Sequence, residues 1–310
     1  MKVLHAEPGE SDPTKVIDPT SVVEAMLASG ATSVSFDVFD TLLWRTTLFP
    51  QDAFWQLSAF SPGAGRHARI GAERLAGFLC RSVFATEPTL ANIYHLLPWP
   101  QQRELEIEQR IGIANPFCLR LVRDLLHRGI KLFALSDMYL ESAQIAALLI
   151  QCGYPSLPVF SSATENRTKS DDGELFGRVW DRYGIAPAST IHVGDNPHSD
   201  IAMARQFGAR ACQVSTPRDS LLDLMSAAQI VVGDFESSQG FGRLAIDWHC
   251  RCASLDASER MAACAALREA LPGSSHGRRS EAARETVSTH KQVRRALEPW
   301  MPSPTRATES

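Results

Sequence analysis

Between Asn115 and Val214 amphipathic stretches alternate four times with short apolar runs, and few folds can bury that pattern. Asn115 suits a helix N-cap, Pro116 the first helical position and Gly129 the residue just past the end. Between them Cys118, Leu121, Val122, Leu125 and Leu126 keep the spacing of a buried helix face. The apolar run Ile130 to Leu135 then reads as a strand. Three further pairs follow: helices over Glu141–Cys152, 171–183 and 199–207, with strands at Val159-Phe160, Thr190–Val193 and Arg210–Val214. Upstream, Ser21 with Glu24 reads as a capping-box start to a short helix ended by Gly30, and Ser33 to Asp37 reads as another strand. Continuous apolar strands alternating with helices predict an α/β fold, a doubly wound parallel sheet covered on both faces.

Residues 46–115 interrupt the alternation after the first strand. They read as short helices: a stripe of Phe54, Leu57 and Phe60, then 66–81, 90–97 and 101–113. The expected organisation is a leader (1–19), a core (20–45 with 116–215), an inserted all-helical cap (46–115), a helical extension (216–273) and a tail (274–310). The tail is rich in Ser, Thr, Arg and Pro and has one aromatic residue, so it reads as disordered.

Charge narrows the partners. The tail holds seven Lys and Arg against four acidic residues, which leaves 24 basic against 31 acidic residues in 1–273. A body with that acidic excess lacks the concentrated basic surface that nucleic acid requires. No apolar run reaches membrane-spanning length, and the polar first eleven residues do not read as a signal peptide. Seven scattered cysteines fit reduced thiols in a cytoplasm better than a disulfide framework. The spacing of His249, Cys250, Cys252 and Cys264 matches no common zinc module. Gly63-Ala64-Gly65 follows a proline rather than a strand and is no dinucleotide loop. Oligomeric state is not legible.

Four polar signals stand just past the carboxyl ends of successive predicted strands, the edge where open parallel sheets bind ligands. Asp37 ends the first strand, Ser136 the second, Lys169 lies in the loop after the third, and Asp195 follows the fourth. Singly, each is commonly a helix cap; all four in order at one edge are hard to assign to capping. The segments Ser35-Phe36-Asp37-Val38-Phe39-Asp40-Thr41-Leu42, Leu135-Ser136-Asp137, Lys169-Ser170 and Gly194-Asp195-Asn196-Pro197-His198-Ser199-Asp200 together resemble the haloacid dehalogenase-like hydrolase superfamily. The likeness spans 32–215 and looks nearest to a subgroup found in bacterial surface-polysaccharide gene clusters.

The resemblance implies a role for each residue. Asp37 would be the nucleophile toward phosphorus. Asp37, the carbonyl of Phe39, Asp195 and Asp200 would hold Mg²⁺. Ser136 and Lys169 would bind the phosphoryl group, with Lys169 neutralising its charge. Thr41 would shape the loop, and the substrate would be a small phosphorylated metabolite. Residues 46–115 lie where such proteins carry a helical cap that closes over the substrate. Arg45, Arg66, Arg69 and Arg81 are candidates for recognising an anionic group there, although solvated helix faces are the commoner state of such residues.

One departure matters. Phosphatases of this superfamily usually carry an acid–base Asp two residues after the nucleophile. Here that position is Phe39, with Asp40 one further on. Either a local loop change lets Asp40 serve as the acid–base, or the substrate, such as an anhydride or acyl phosphate, has a leaving group that needs no acid. An aromatic residue there is a dehalogenase trait, which makes a metal-free 2-haloacid dehalogenase the rival expectation. The Gly194-Asp195 pair with Asp200 argues instead for a cation. A third reading is a phospholigand-binding or scaffold protein with a degenerate site.

Overall fold

The computed structural model describes residues 19–57, 64–219, 232 and 234–252, with 258, 259, 262, 265 and 266. The expected leader up to residue 18, Phe60, Cys264 and the 274–310 tail lie outside these residues. The described chain divides into two compact units, one of 19–45 and 56–215 and one of 46–55 with residues from 216 onward.

The first unit carries a five-stranded, wholly parallel sheet. Its strands are β1 (Ser33–Asp37), β4 (Lys131–Ser136), β5 (Val159–Ser161), β6 (Thr190–Gly194) and β7 (Arg210–Gln213), in the spatial order β5-β4-β1-β6-β7. The strand order reverses beside β1, so β1 sits centrally with Asp37 opposite Leu135 and Phe36 opposite Val193. Strand β4 shows how both faces are buried. Leu132 and Ala134 join a cluster with α1 (Pro19–Ala28), α5 (Pro116–His127) and α6 (Ser142–Gln151). Phe133 and Leu135, pointing oppositely, join Phe160, Phe176, Val179 and Trp180. Helix α8 (Glu174–Tyr183) supplies the last three. Period-two alternation of this kind explains an apolar run without polar gaps.

Local signals act mostly as expected. The Asn115 side chain accepts hydrogen bonds from the N–H groups of Phe117 and Cys118, with Pro116 at the first turn. Gly129 takes the left-handed conformation at φ +76° and ends α5. Four of the five predicted face residues of α5 are buried, while Leu126 is exposed. Other boundaries differ. Helix α1 already runs from Pro19, so Ser21 and Glu24 lie inside it rather than at its cap. Helix α8 starts at Glu174 rather than Asp171, because Gly173 is left-handed and Asp172 accepts the Glu174 N–H. The 199–207 helix opens earlier, as a π-helical turn over Pro197–Ala202 capped by Asn196, and continues as α9 (Met203–Gln206).

The insertion after β1 is helical as expected, with α2 (Ala64–Leu79), a π-helical turn (Cys80–Phe84), α3 (Leu90–Tyr94) and α4 (Gln102–Ile111). Its base holds a feature absent from the sequence reading: β2 (Leu43–Arg45) pairs antiparallel with β3 (Gly112–Ala114). Three residues are too few for periodicity to register. Asn115 and Tyr154 fasten this two-stranded ribbon by donating to the Thr41 and Leu42 carbonyls at 2.9 and 2.7 Å.

The second unit contains α10 (Phe235–Cys252), which buries Phe241, Leu244, Ala245 and Trp248. In that unit the Leu48 N–H donates to the Ser238 carbonyl, and the Ser238 hydroxyl donates to Asp52 at 2.7 Å. No described helix is long and apolar enough to cross a membrane.

Candidate active site

The carboxyl ends of β1, β4 and β6 converge on one cluster of charge. Asp37 closes β1, and Asp195 and Asp200 follow β6 on the turn that Asn196 caps. Each of the three offers a carboxylate oxygen, and these atoms lie within 4.8 Å of one another. Lys169, 1% exposed, reaches in from the loop before α8, with Nζ 2.6 Å from Asp37 Oδ1 and 2.6 Å from Asp200 Oδ1. Ser136 ends β4 one residue beyond the partner of Asp37, and it is buried. Thr41 donates to Asp195 Oδ1 at 3.3 Å.

Three buried or half-buried carboxylates face one ammonium, and burial and mutual charge pull their pKa values apart. Burial, reinforced by Asp200 and Asp195 and opposed by Lys169, holds the Asp37 carboxyl well above the usual range. Burial, then the charges of Asp40 and Asp200, push Asp195 up to about 7. Burial acts in the same sense on Asp200, but Lys169 and the His192 hydrogen bond outweigh it and keep that group below the ordinary value. Burial also depresses the His192 pKa, so the ring is neutral at pH 7. This donor set fits a hard divalent cation: carboxylate oxygens held close, with more negative charge than one lysine balances.

The surrounding polar groups fix these carboxylates. Asp200 Oδ2 accepts the Asn196 N–H at 3.0 Å. His192 is fully buried on β6, with Nε2 3.4 Å from Asp200 Oδ1 and Nδ1 2.8 Å from Ser35 Oγ on β1. Gly194 leaves room for Asp200: a Cβ there would lie 2.4 Å from the Asp200 Cβ. Sequence reasoning missed Ser35 and His192, although polar residues interrupting two adjacent apolar strands were the available signal.

Phe39 and Asp40 follow Asp37 in a tight turn. The Asp40 N–H donates to the Leu43 carbonyl, and the Leu43 N–H to the Val38 carbonyl. Asp40 adopts φ +63°, a conformation Asp tolerates better than most residues. Its charge acts on both Asp195 and Arg45. The Arg45 guanidinium lies 4.3 Å from the centroid of the Phe39 ring and forms a buried ion pair with Glu108 of α4 at 2.9 Å.

Within the cap, Arg69 lies on neither a solvated face nor an open anion site. Arg69 is the largest fully buried side chain, and its guanidinium bonds both Glu104 oxygens and Glu73. It also lies 4.7 Å from the Tyr139 ring in the loop after β4. Glu104 further accepts the Tyr94 hydroxyl at 2.7 Å. Arg81 pairs with Glu87 and stays half exposed. Sequence alone could not show that Arg45 and Arg69 are charge-compensated, because Glu104 and Glu108 become their neighbours only when α4 packs.

Comparison with known proteins gives one family. A family model described as haloacid dehalogenase-like hydrolase matches residues 32–208. No curated protein sequence matches the chain significantly. Among solved structures, L-2-haloacid dehalogenase from Xanthobacter autotrophicus with covalently bound chloropropionic acid is 16% identical, covers 65% of this chain and 85% of its own, and superposes with a TM-score of 0.48. A HAD phosphatase from Thermococcus onnurineus is 19% identical, covers 58% and 84%, and gives a TM-score of 0.42.

Proposed function

Because the chain belongs to the haloacid dehalogenase-like hydrolases, we propose that it is a Mg²⁺-dependent phosphohydrolase of a small phosphorylated metabolite. The observation that carries this reading is the trio of Asp37, Asp195 and Asp200, with ligand oxygens within 4.8 Å at the carboxyl edge of the sheet. A divalent cation would balance three carboxylates packed so closely, which supports the metal-dependent reading over the metal-free one.

In this reading Asp37, Asp195, Asp200 and the Phe39 carbonyl hold the ion. Bound Mg²⁺ supplies positive charge that offsets repulsion between a carboxylate and a phosphoryl dianion. An Asp37 oxygen attacks phosphorus, and the bond from phosphorus to the leaving oxygen breaks with its electron pair on that oxygen. Water then attacks the phosphorus of the aspartyl phosphate, releasing inorganic phosphate and restoring the carboxylate. Lys169 keeps its ammonium toward Asp37 and the phosphoryl oxygens. Ser136 donates its hydroxyl to one of those oxygens, and Thr41 holds the Asp195 carboxylate. Asp40 exchanges the proton with the leaving oxygen and with water, the task that Phe39 lacks a group to perform.

Phe39 favours a second reading. An apolar ring beside the nucleophile, pinned beneath Arg45, suits a metal-free 2-haloacid hydrolase. One panel decides: aryl phosphate and 2-haloacid substrates, each with Mg²⁺ and with EDTA, on wild type and Asp37→Asn. Phosphate release that requires Mg²⁺ and Asp37 is expected. Halide release insensitive to EDTA establishes the dehalogenase, and silence on a broad phosphometabolite set leaves a ligand-binding protein.

A further inference from the structure

Lys169 has a mechanical problem. It is on neither a strand nor a helix, yet its ammonium must sit between Asp37 and Asp200. Neither its backbone N–H nor that of Ser170 takes part in a helix or sheet ladder, so something else must hold this stretch of loop. Asp137 does so. Its Oδ1 accepts the Lys169 N–H at 2.7 Å and its Oδ2 accepts the Ser170 N–H at 2.8 Å.

This is a two-point grip by a charged acceptor on consecutive amides, the strong form of a local hydrogen bond. The grip has a firm base. Asp137 follows Ser136 directly at the end of β4, and the next residue, Met138, is fixed by the Ser162 hydroxyl at 3.0 Å. On the far side the Asp171 N–H donates to Thr168 Oγ1 and the Leu175 N–H to the Thr168 carbonyl, so the loop is also tied to α8.

We propose that Asp137 is a positioning residue that clamps the Lys169-Ser170 backbone to the end of β4 and thereby aims the Lys169 ammonium at Asp37 and Asp200. For catalysis this rests on the phosphohydrolase reading; the clamp itself does not. The side chain touches no reacting atom. It transmits the position of β4, and with it Ser136, to the lysine, so both phosphoryl-binding groups move as one piece. Its negative charge also adds to those of Asp200 and Asp37 in keeping Lys169 protonated.

The test uses the full chain as Asp137→Ala, Asp137→Asn, Lys169→Ala and the Asp137→Ala/Lys169→Ala pair. The first readout needs no activity: acylation of lysines by a water-soluble amine reagent, mapped by mass spectrometry, with exposed Lys131 as the internal standard. In wild type, buried Lys169 labels slowly. Asp137→Ala raises its rate at least about tenfold relative to Lys131, and Asp137→Asn, which keeps one acceptor oxygen, raises it less. An unchanged Lys169 rate in folded Asp137→Ala overturns the clamp, and if that variant does not fold, an unchanged rate in Asp137→Asn does. The second readout is phosphatase kcat/KM. Asp137→Ala loses on the order of 10²-fold, the scale of a misplaced electrostatic donor, and the pair is no worse than Lys169→Ala alone. Additive losses in the pair overturn action through Lys169. If wild type releases no phosphate, the function reading fails and the labelling result alone decides the clamp.

Discussion

Glu104→Gln tests the buried charge network of the cap. Arg69 is fully buried, and Glu104 is its buried partner, 1% exposed at the side chain, whereas Glu73 is 43% exposed. Neutralising Glu104 leaves a buried guanidinium leaning on Glu73 and weakens the acceptor of the Tyr94 hydroxyl. Removing one partner of a buried ion pair costs about 3–5 kcal/mol, since the remaining charge is desolvated without its counter-ion. For a unit of this size each kcal/mol shifts Tm by about 2–4 °C, so a fall of roughly 6–20 °C is expected by differential scanning fluorimetry. The double variant Arg69→Met/Glu104→Leu, which removes both charges, should recover most of that loss. A Tm within about 2 °C of wild type for Glu104→Gln would show that water reaches the pair and would refute the argument. The network has functional reach because Arg69 also packs on Tyr139, three residues beyond Ser136.

Gly194→Ala places a methyl within 2.4 Å of the Asp200 side chain, so Mg²⁺ affinity measured by calorimetry should drop at least tenfold; wild-type affinity would contradict the crowding. Asp40→Asn keeps a side chain that tolerates the left-handed turn, so any loss is chemical. It should slow alkyl phosphates about 10²-fold or more while sparing acyl phosphates, whose leaving group needs no proton, and equal rates on both would remove Asp40 from the mechanism. Arg182 and Arg178 overcome the effect of burial and lower the Glu165 pKa, so that pair network stabilises the fold above the ordinary Glu range and the benefit fades as pH falls through the lowered value. The Tm gap between wild type and Glu165→Gln should therefore be small at pH 7, worth about 0–1 kcal/mol for such exposed arginines, and vanish once the pH is well below the lowered Glu165 value.

The parallel sheet was legible because its strands are buried on both faces. Runs such as Leu132 to Leu135 admit no polar residue, and β4, β5 and β6 are each followed by a helical element with its own cap. The carboxyl-edge placement of Asp37, Ser136 and Asp195 followed from the same runs. The π-helical opening at Pro197–Ala202 was not legible, since its composition suits an ordinary helix. Nor was the β2–β3 pair, whose three-residue strands carry no period. Asp137 stood in plain view beside Ser136, but sequence shows a side chain's chemistry and not the pair of amides it grips. The same holds for Arg69: a residue type that is nearly always solvated is buried here because partners 4 and 35 positions away converge on it.

Phe39 is best understood through what surrounds it. Arg45 lies over the ring and is neutralised by Glu108, so the aromatic position is built in from three elements: the β1 turn, β2 and α4. A phenylalanine that had drifted into an acid–base position would need no such support. The same arrangement leaves Arg45 with little unbalanced charge to offer an anionic substrate. In this turn the ring lies under Arg45, while the charge of Asp40, one residue on, acts on Asp195. Under the proposed phosphohydrolase reading Asp40 is therefore the group to test at this turn, because the Phe39 ring is already committed to packing against Arg45.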